Sequence, residues 1–386
     1  MTRPLDLVVL GLSLSSSWGN GHATTYRALL RAFAARGHRV TFLERDVPWY
    51  AAHRDLAAPD YCDLVLYPDL AALRDLRPRL LRADAVMVGS YVPEGVAVGA
   101  LAVATMREAG GVAAFYDIDT PVTLAKLARG DHEYLTPDLI RAYDLYLSFT
   151  GGPVLERLER EFGAPRARAL YCSVDPALYA PTGAEPVYDL SYLGTYSPDR
   201  QPTLERLLIE PARRAPELRF VVAGPQYPAD IAWPPNVERR DHVGPADHPA
   251  FYGLSRWTLN VTRADMRAAG YSPSVRLFEA AACGTPILSD DWPGLGTILA
   301  PGREIVVAEG PDAVLSALTR TSPAERAALA QAARRRVLAR HSAAQRAQEL
   351  EAALLEAALR EAAAPSPKYS HEVSKLPLAE GVRGRS

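Results

Sequence analysis

The stretch YSPSVRLFEAAACGTPILS, Tyr271–Ser289, holds a loop, a helix, a tight stop and a strand in sequence. Ser272 is a good N-cap and Pro273 suits the first helical position, so the helix is expected to open there. Gly284 supplies a left-handed stop and Pro286 blocks continuation. A capped helix start presents free backbone N–H groups and the positive end of a dipole, which suits an anion. Glu279 lies six residues past Pro273, roughly 9 Å along a helix. That is about the reach from a diphosphate to the far edge of its ribose, where a carboxylate can accept both hydroxyls. Arg276 precedes Glu279 by one turn on the same face. An ordinary Arg–Glu surface pair fits the same spacing, and the residues alone favour neither reading.

The chain of 386 residues suggests two domains, with 48% hydrophobic residues to fill their cores. A net charge of −2 argues against nucleic-acid or anionic-membrane partners. Three scattered cysteines, Cys62, Cys172 and Cys283, give neither a disulfide framework nor a metal cluster. They suggest a reduced, cytoplasmic protein. No apolar run is long enough for a membrane span.

The first half alternates strand and helix signals. Strands are expected over 5–10, 39–43, 85–89, 112–116 and 145–149, with a helix over 23–36 ended by Gly37. The second half starts again, with strands over 189–193, 219–223, 258–261, 286–289 and 304–307 and a helix over 203–214. A helical stretch from Pro323 to Ala363 closes the pattern. Continuous apolar strands between helices imply parallel sheets covered on both faces. The fold class is therefore α/β, with two Rossmann-like domains facing across a cleft. The expected divisions are 1–180, 181–363 and a flexible tail over 364–386 rich in proline and polar residues.

The run Arg276-Leu-Phe-Glu279, followed by Gly284-Thr-Pro286, resembles the donor-nucleotide motif of GT-B glycosyltransferases, closest to the family-4 and CgeB-like types. Residues 171–181 are similar to the interdomain segment of family-4 enzymes. The resemblance implies a metal-independent glycosyltransferase with no cofactor, taking a UDP- or dTDP-sugar and an unidentified acceptor. It assigns Glu279 to the ribose, and the diphosphate to Arg200 and the Ser272–Ser274 helix start, with Ser197 as a local N-cap. Gly194, Gly224 and Val243 belong to strand-end loops that receive the nucleotide. The family's usual second Glu, eight residues earlier, is Tyr271 here, which leaves retaining and inverting outcomes both open. The last helix is expected to cross back to the first domain.

The first loop carries Gly19, Gly21 and His22. The glycines permit close backbone approach to a ligand. The stretch from Arg27 to Phe42 resembles the opening of family-1 enzymes, which implies His22 as a general base oriented by Asp119 or Asp117. A plain helix-start role for His22 is the alternative. Asp117-Ile-Asp119 also spells a DxD pair that could hold a metal, a minority reading because the second Rossmann-like half is foreign to metal-using GT-A enzymes. Glu44 ends the second strand where dinucleotide folds place a ribose acid, but the first loop lacks GxGxxG. Asp290 and Asp291 suit either sugar hydroxyls or a turn. Trp18, Trp49, Tyr50 and Tyr91 are candidate stacking residues for an acceptor. A nucleotide-sugar epimerase and a non-catalytic binding protein are the competing functions.

Overall fold

The computed structural model describes residues 3–18 and 21–363. The expected tail and Gly19 lie outside the described residues. The first seven strands are β1 (Asp6–Gly11), β2 (Arg39–Arg45), β3 (Asp63–Tyr67), β4 (Ala85–Gly89), β5 (Val112–Asp117), β6 (Leu145–Ser148) and β7 (Ala167–Ala169). They form one parallel sheet in the order β3-β2-β1-β4-β5-β6-β7. The next six are β8 (Tyr188–Leu193), β9 (Phe220–Ala223), β10 (Val237–Arg240), β11 (Ser255–Asn260), β12 (Ile287–Ser289) and β13 (Val306–Val307). They pair in parallel as β10-β9-β8-β11-β12-β13. Both orders reverse between the first and fourth strand of their sheet, so each half has a crevice there, outside the carboxyl ends of its strands.

The central strands β4 and β5 are buried along their whole length, as expected of strands covered by helices on both faces. β3, β7 and β10 were not expected from the sequence. All three are edge strands. β7 (Ala-Arg-Ala) and β10, with its polar run Glu238-Arg239-Arg240, carry little apolar signal, whereas the apolar run Leu64-Val-Leu-Tyr67 of β3 was legible and was missed.

Four helices matter for the site. They are α1 (Gly21–Ala35), α2 (Val275–Ala282), α3 (Pro323–Arg340) and α4 (Ala343–Ala363). The helical stretch expected over 323–363 consists of two helices, α3 and α4. At the break, Ser342 pairs with Val174 in the link between the sheets. The Val174 N–H donates to the carbonyl of His341 at 3.2 Å, and the Ala343 N–H donates to the Val174 carbonyl at 2.8 Å. Ser342 Oγ then accepts from the Gln345 N–H. These tertiary bonds override a locally helical sequence. α4 crosses back onto α1, as expected, and its Ala347, Leu350 and Leu354 share one apolar cluster with Leu29, Leu30 and Phe33. Glu351 joins this contact through Arg36 and, 3.5 Å away, His38. No helix of the described residues is long and apolar enough to cross a membrane.

Candidate functional site

α2 begins two residues later than the sequence suggested. Ser274 is its N-cap, with extended backbone and its Oγ accepting from the Arg276 N–H, 3.4 Å away. Ser272 is buried instead, its hydroxyl 2.9 Å from that of Thr150 in the first half. The reason lies at Tyr271, whose backbone is left-handed, φ 48°. Its N–H donates to the Pro293 carbonyl at 2.6 Å and its carbonyl accepts from the Gly151 N–H at 2.9 Å. The ring fills the space beside Gly152 and Gly294, where a Cβ would lie within 2.5 Å of it. Tyr271 is thus a wedge between the halves, and the chain leaves it too extended to start a helix at Pro273. The helix ends as expected, with Gly284 left-handed at φ 74°.

A cavity of about 290 Å³ opens in front of α2. Gly21, Ser17 and Thr24 line it from the first half. From the second come Gly194, Arg200, Gly224, Val243, His248 and Tyr252, with Ser274, Arg276 and Glu279 of the motif. Eight of the proposed donor residues thereby meet at one cavity, and Ser272 does not line it. A roomier groove of about 820 Å³ runs along the edge strand β13, but none of the motif residues lines it.

Arg276 is buried, not on the surface. Its Nε donates to the Leu193 carbonyl at 2.6 Å and its Nη1 to Asn260 Oδ1 at 3.0 Å. Leu193 ends β8 and Asn260 ends β11, so the guanidinium sits across the second sheet's topological crevice. It lies 4.9 Å from the centre of the Tyr192 ring. No carboxylate pairs with it among the described residues; its protein acceptors are neutral. Gly194 is required here, since a Cβ would come within 2.8 Å of Arg276 Nη2. Beside it, Gly224 has φ 145° and packs on the Gly194 carbonyl, a contact open only to glycine.

Glu279 is also buried. Burial pushes its pKa up, but the neighbouring His248 and hydrogen bonds from Tyr179 and Tyr252 outweigh this and hold it below the usual carboxylate range. His248 Nδ1 lies 3.5 Å from Glu279 Oε2, and the Tyr252 hydroxyl donates to the same oxygen at 3.2 Å. In turn, burial pushes His248 down and the Glu279 charge more than restores it, so its pKa is raised. His248 and Tyr252 stand one turn apart on the helix His248–Gly253. That spacing is legible in the sequence, but its aim at Glu279 is not.

Arg200 follows a turn, not a capped helix. The helix opens at Gln201, and the Ser197 hydroxyl bonds to Asp199. Arg200 Nη2 donates to the Thr195 carbonyl at 2.6 Å.

In the first half, both Glu44 oxygens are taken up by the loop before α1. They accept from the N–H groups of Leu14 and Ser15 at 2.6 and 2.9 Å and from the hydroxyls of Ser13 and Ser15. Glu44 therefore shapes this loop and is not free for a ribose, which agrees with the missing GxGxxG. Asp55 holds the same loop through Ser17 and Arg27. Trp18 stacks on His53 at 4.6 Å and meets His242 of the second half at 4.9 Å.

Burial pushes the His22 pKa down to about 4, so the ring is neutral at pH 7. It meets Tyr91 edge-on at 5.5 Å, and the Tyr91 hydroxyl donates to Asp119 at 3.2 Å. Tyr91 thus stands between the two residues expected to form a dyad. Arg263 of the second half also donates to Asp119, at 3.4 Å. Asp117 is fully buried and accepts from Tyr146, Thr123 and the Asp119 N–H. Burial raises it to about 6. Asp117 thus lies in the core and Asp119 faces a guanidinium, and among the described residues no group of three or more His, Cys, Asp or Glu side chains gathers as metal ligands would. Asp290 Oδ1 accepts from the N–H and hydroxyl of Thr262, tying the loop after β12 to the loop after β11, while its Oδ2 is buried without a partner among the described residues; Asp291 accepts from the adjacent Trp292 N–H.

Residues 200–352 match a family model described as "Glycosyl transferase-like". Among solved structures, sucrose-phosphate synthase from Thermosynechococcus elongatus has a TM-score of 0.65 at 15% identity, covering 93% of this chain and 100% of that one. Anabaena HepE in complex with UDP and glucose has a TM-score of 0.65 at 12% identity, covering 91% and 100%. An alpha-glucosyltransferase in complex with UDP gives the same score and identity, with the same coverage. At these identities the likeness establishes the fold, which is GT-B. No curated protein matches the sequence. Fold and matched segment point the same way: residues 200–352 are glycosyl transferase-like, on a GT-B fold. The matched segment, the type called glycosyl transferase-like, contains the whole of α2 with Arg276 and Glu279.

Proposed function

We propose that the chain transfers a sugar from a nucleoside diphosphate sugar to an acceptor hydroxyl without a metal. The observation that carries this reading is the pairing on α2 of a buried, neutrally bonded guanidinium and a buried ionised carboxylate, one turn apart and facing one cavity. A desolvated cation without a counter-anion is costly. A diphosphate supplies the missing charge, and the Ser274 cap adds free N–H groups. Glu279 accepts from the ribose, while Arg200 approaches the diphosphate from the Gly194 loop. Gly224 and Val243 border the nucleotide. Two of the similar structures hold UDP, which favours a uridine donor.

In the transfer, the bond from the anomeric carbon to the diphosphate oxygen breaks and its electron pair stays on the diphosphate. The acceptor oxygen bonds to the anomeric carbon, and its proton passes to a base. Arg276, Arg200 and the helix start stabilise the departing charge. His22 is the candidate base of an inverting enzyme. Residues 1–180 would present the acceptor and 181–363 the donor.

The test is thermal stability against nucleoside diphosphates and their sugars, with and without EDTA. A ligand at about 100 times its Kd adds about 2.7 kcal/mol. Stabilisation by one base's diphosphate, unchanged by EDTA, is expected. No stabilisation by any of them overturns the donor site, and a strict metal requirement overturns the metal-free mechanism. Incubation with donor alone separates this reading from an epimerase, which converts the donor without an acceptor.

A further inference from the structure

Two guanidinium nitrogens at the cleft are buried without a hydrogen-bonding partner among the described residues: Nε of Arg200 and Nε of Arg263. They come from separate loops, after β8 and after β11, the two strands that flank the topological crevice. Arg263 is tethered by two carboxylates. Its Nη1 donates at 3.4 Å to Asp119 of the opposite half, and its Nε lies 3.9 Å from Asp199, the neighbour of Arg200. Asp199 is itself fixed by the Ala264 N–H at 2.9 Å. Both guanidinium groups act on Asp119 through space, so they share one electrostatic neighbourhood. Arg263 stands apart from the α2 motif and was not among the residues the sequence singled out.

We propose that Arg263 is a further diphosphate-binding residue, held across the ligand-free cleft by Asp119 and passed to the donor's phosphates when the donor arrives. This rests on the donor site proposed above. A phosphate offers a guanidinium the same forked pair of oxygens as a carboxylate, with more charge. The bond it replaces is long, at 3.4 Å, and its geometry leaves Nε unused. A donor diphosphate brings several negative charges into a cleft where Arg276 and Arg200 are the cations that line the cavity. A third from the adjacent loop balances them more fully. Asp119 then acts as the counter-anion that parks Arg263 in the empty enzyme, a role distinct from orienting His22.

The test is calorimetric titration of the full chain with UDP, dTDP, GDP, ADP and CDP, and with the corresponding monophosphates. Wild type, Arg263→Ala, Arg263→Lys, Asp119→Asn and the Ala/Asn double variant are compared. For the diphosphate that binds wild type, Arg263→Ala is expected to weaken binding about 10- to 100-fold, and Arg263→Lys less. The monophosphate is expected to change less than about threefold. Asp119→Asn is expected to tighten diphosphate binding, and the tightening to vanish in the double variant. Equal losses for mono- and diphosphate, or no loss, overturn the role of Arg263. Weaker diphosphate binding by Asp119→Asn overturns the parking role. If no diphosphate binds wild type, the donor site itself falls, and that failure is visible before any variant is made.

Discussion

Glu279→Gln isolates the carboxylate charge while preserving shape. In the wild type Oε2 is shared by Tyr252 and His248, and in the proposed donor complex the ionised group accepts from the ribose. A hydrogen bond to a charged group contributes about 1.5–3 kcal/mol, and a neutral one about 0.5–1.5. Wild type should therefore prefer a ribonucleoside diphosphate to its 2′-deoxy form by about 10- to 100-fold. The E279Q variant should keep a preference of only about three- to tenfold. Its His248, no longer opposite a negative charge, should fall below the usual imidazole pKa because burial then dominates. The sign of the pH effect follows from the two shifts. The depressed Glu279 stabilises the fold above the ordinary carboxylate pKa and loses this as pH falls through its folded value. The raised His248 stabilises below the ordinary imidazole pKa and loses this as pH rises through its folded value. The ion pair is thus strongest in the window between, and binding is best compared there. The assay is calorimetric titration with UDP and dUDP, or the equivalent pair for whichever base binds. A variant that keeps the full wild-type ribose preference would refute the assignment of Glu279.

The His22 ring is expected to remain neutral well below the usual imidazole range. In a spectrum of labelled histidines, the resonance lost in His22→Gln should stay constant from pH 8 to 5 and titrate near pH 4; a midpoint near 6.5 would show that the ring is not desolvated. Gly152→Ala should destabilise the protein by about 3 kcal/mol, because a side chain at φ 61° is strained and its Cβ meets the Tyr271 ring. Gly183→Ala, at φ 73° with open space around it, should cost only about 1–2 kcal/mol. Equal losses in chemical denaturation would remove the wedge from the argument.

The class of fold was legible because the central strands are apolar along their length and the helices between them end in glycine. The candidate donor site was legible because one helix carries the Arg and the Glu at one-turn spacing. Other features were written in no local pattern. The start of α2 depends on Tyr271 meeting Gly152 and Gly294, a contact between segments distant in sequence. His248 and Tyr252 reach Glu279 only after β11 has been threaded between them and α2. The break at Ser342 is tied to Val174, far earlier in the chain, although Ser342-Ala-Ala-Gln345 carries a local N-cap pattern that was passed over. Asp119 accepts from Tyr91 of its own half and from Arg263 of the other, and no local pattern indicates either partner.

The return of α4 onto α1 bears on how the chain is made. On the ribosome, the first sheet and α1 emerge well before residues 343–363, and domains tend to fold in order of emergence. The part of Leu29, Leu30 and Phe33 that α4 covers must then wait until residues 343–363 have been translated. The opening half is consequently a natural client for a chaperone during synthesis. A fragment that stops before Ala343 would carry an apolar stripe that α4 otherwise conceals.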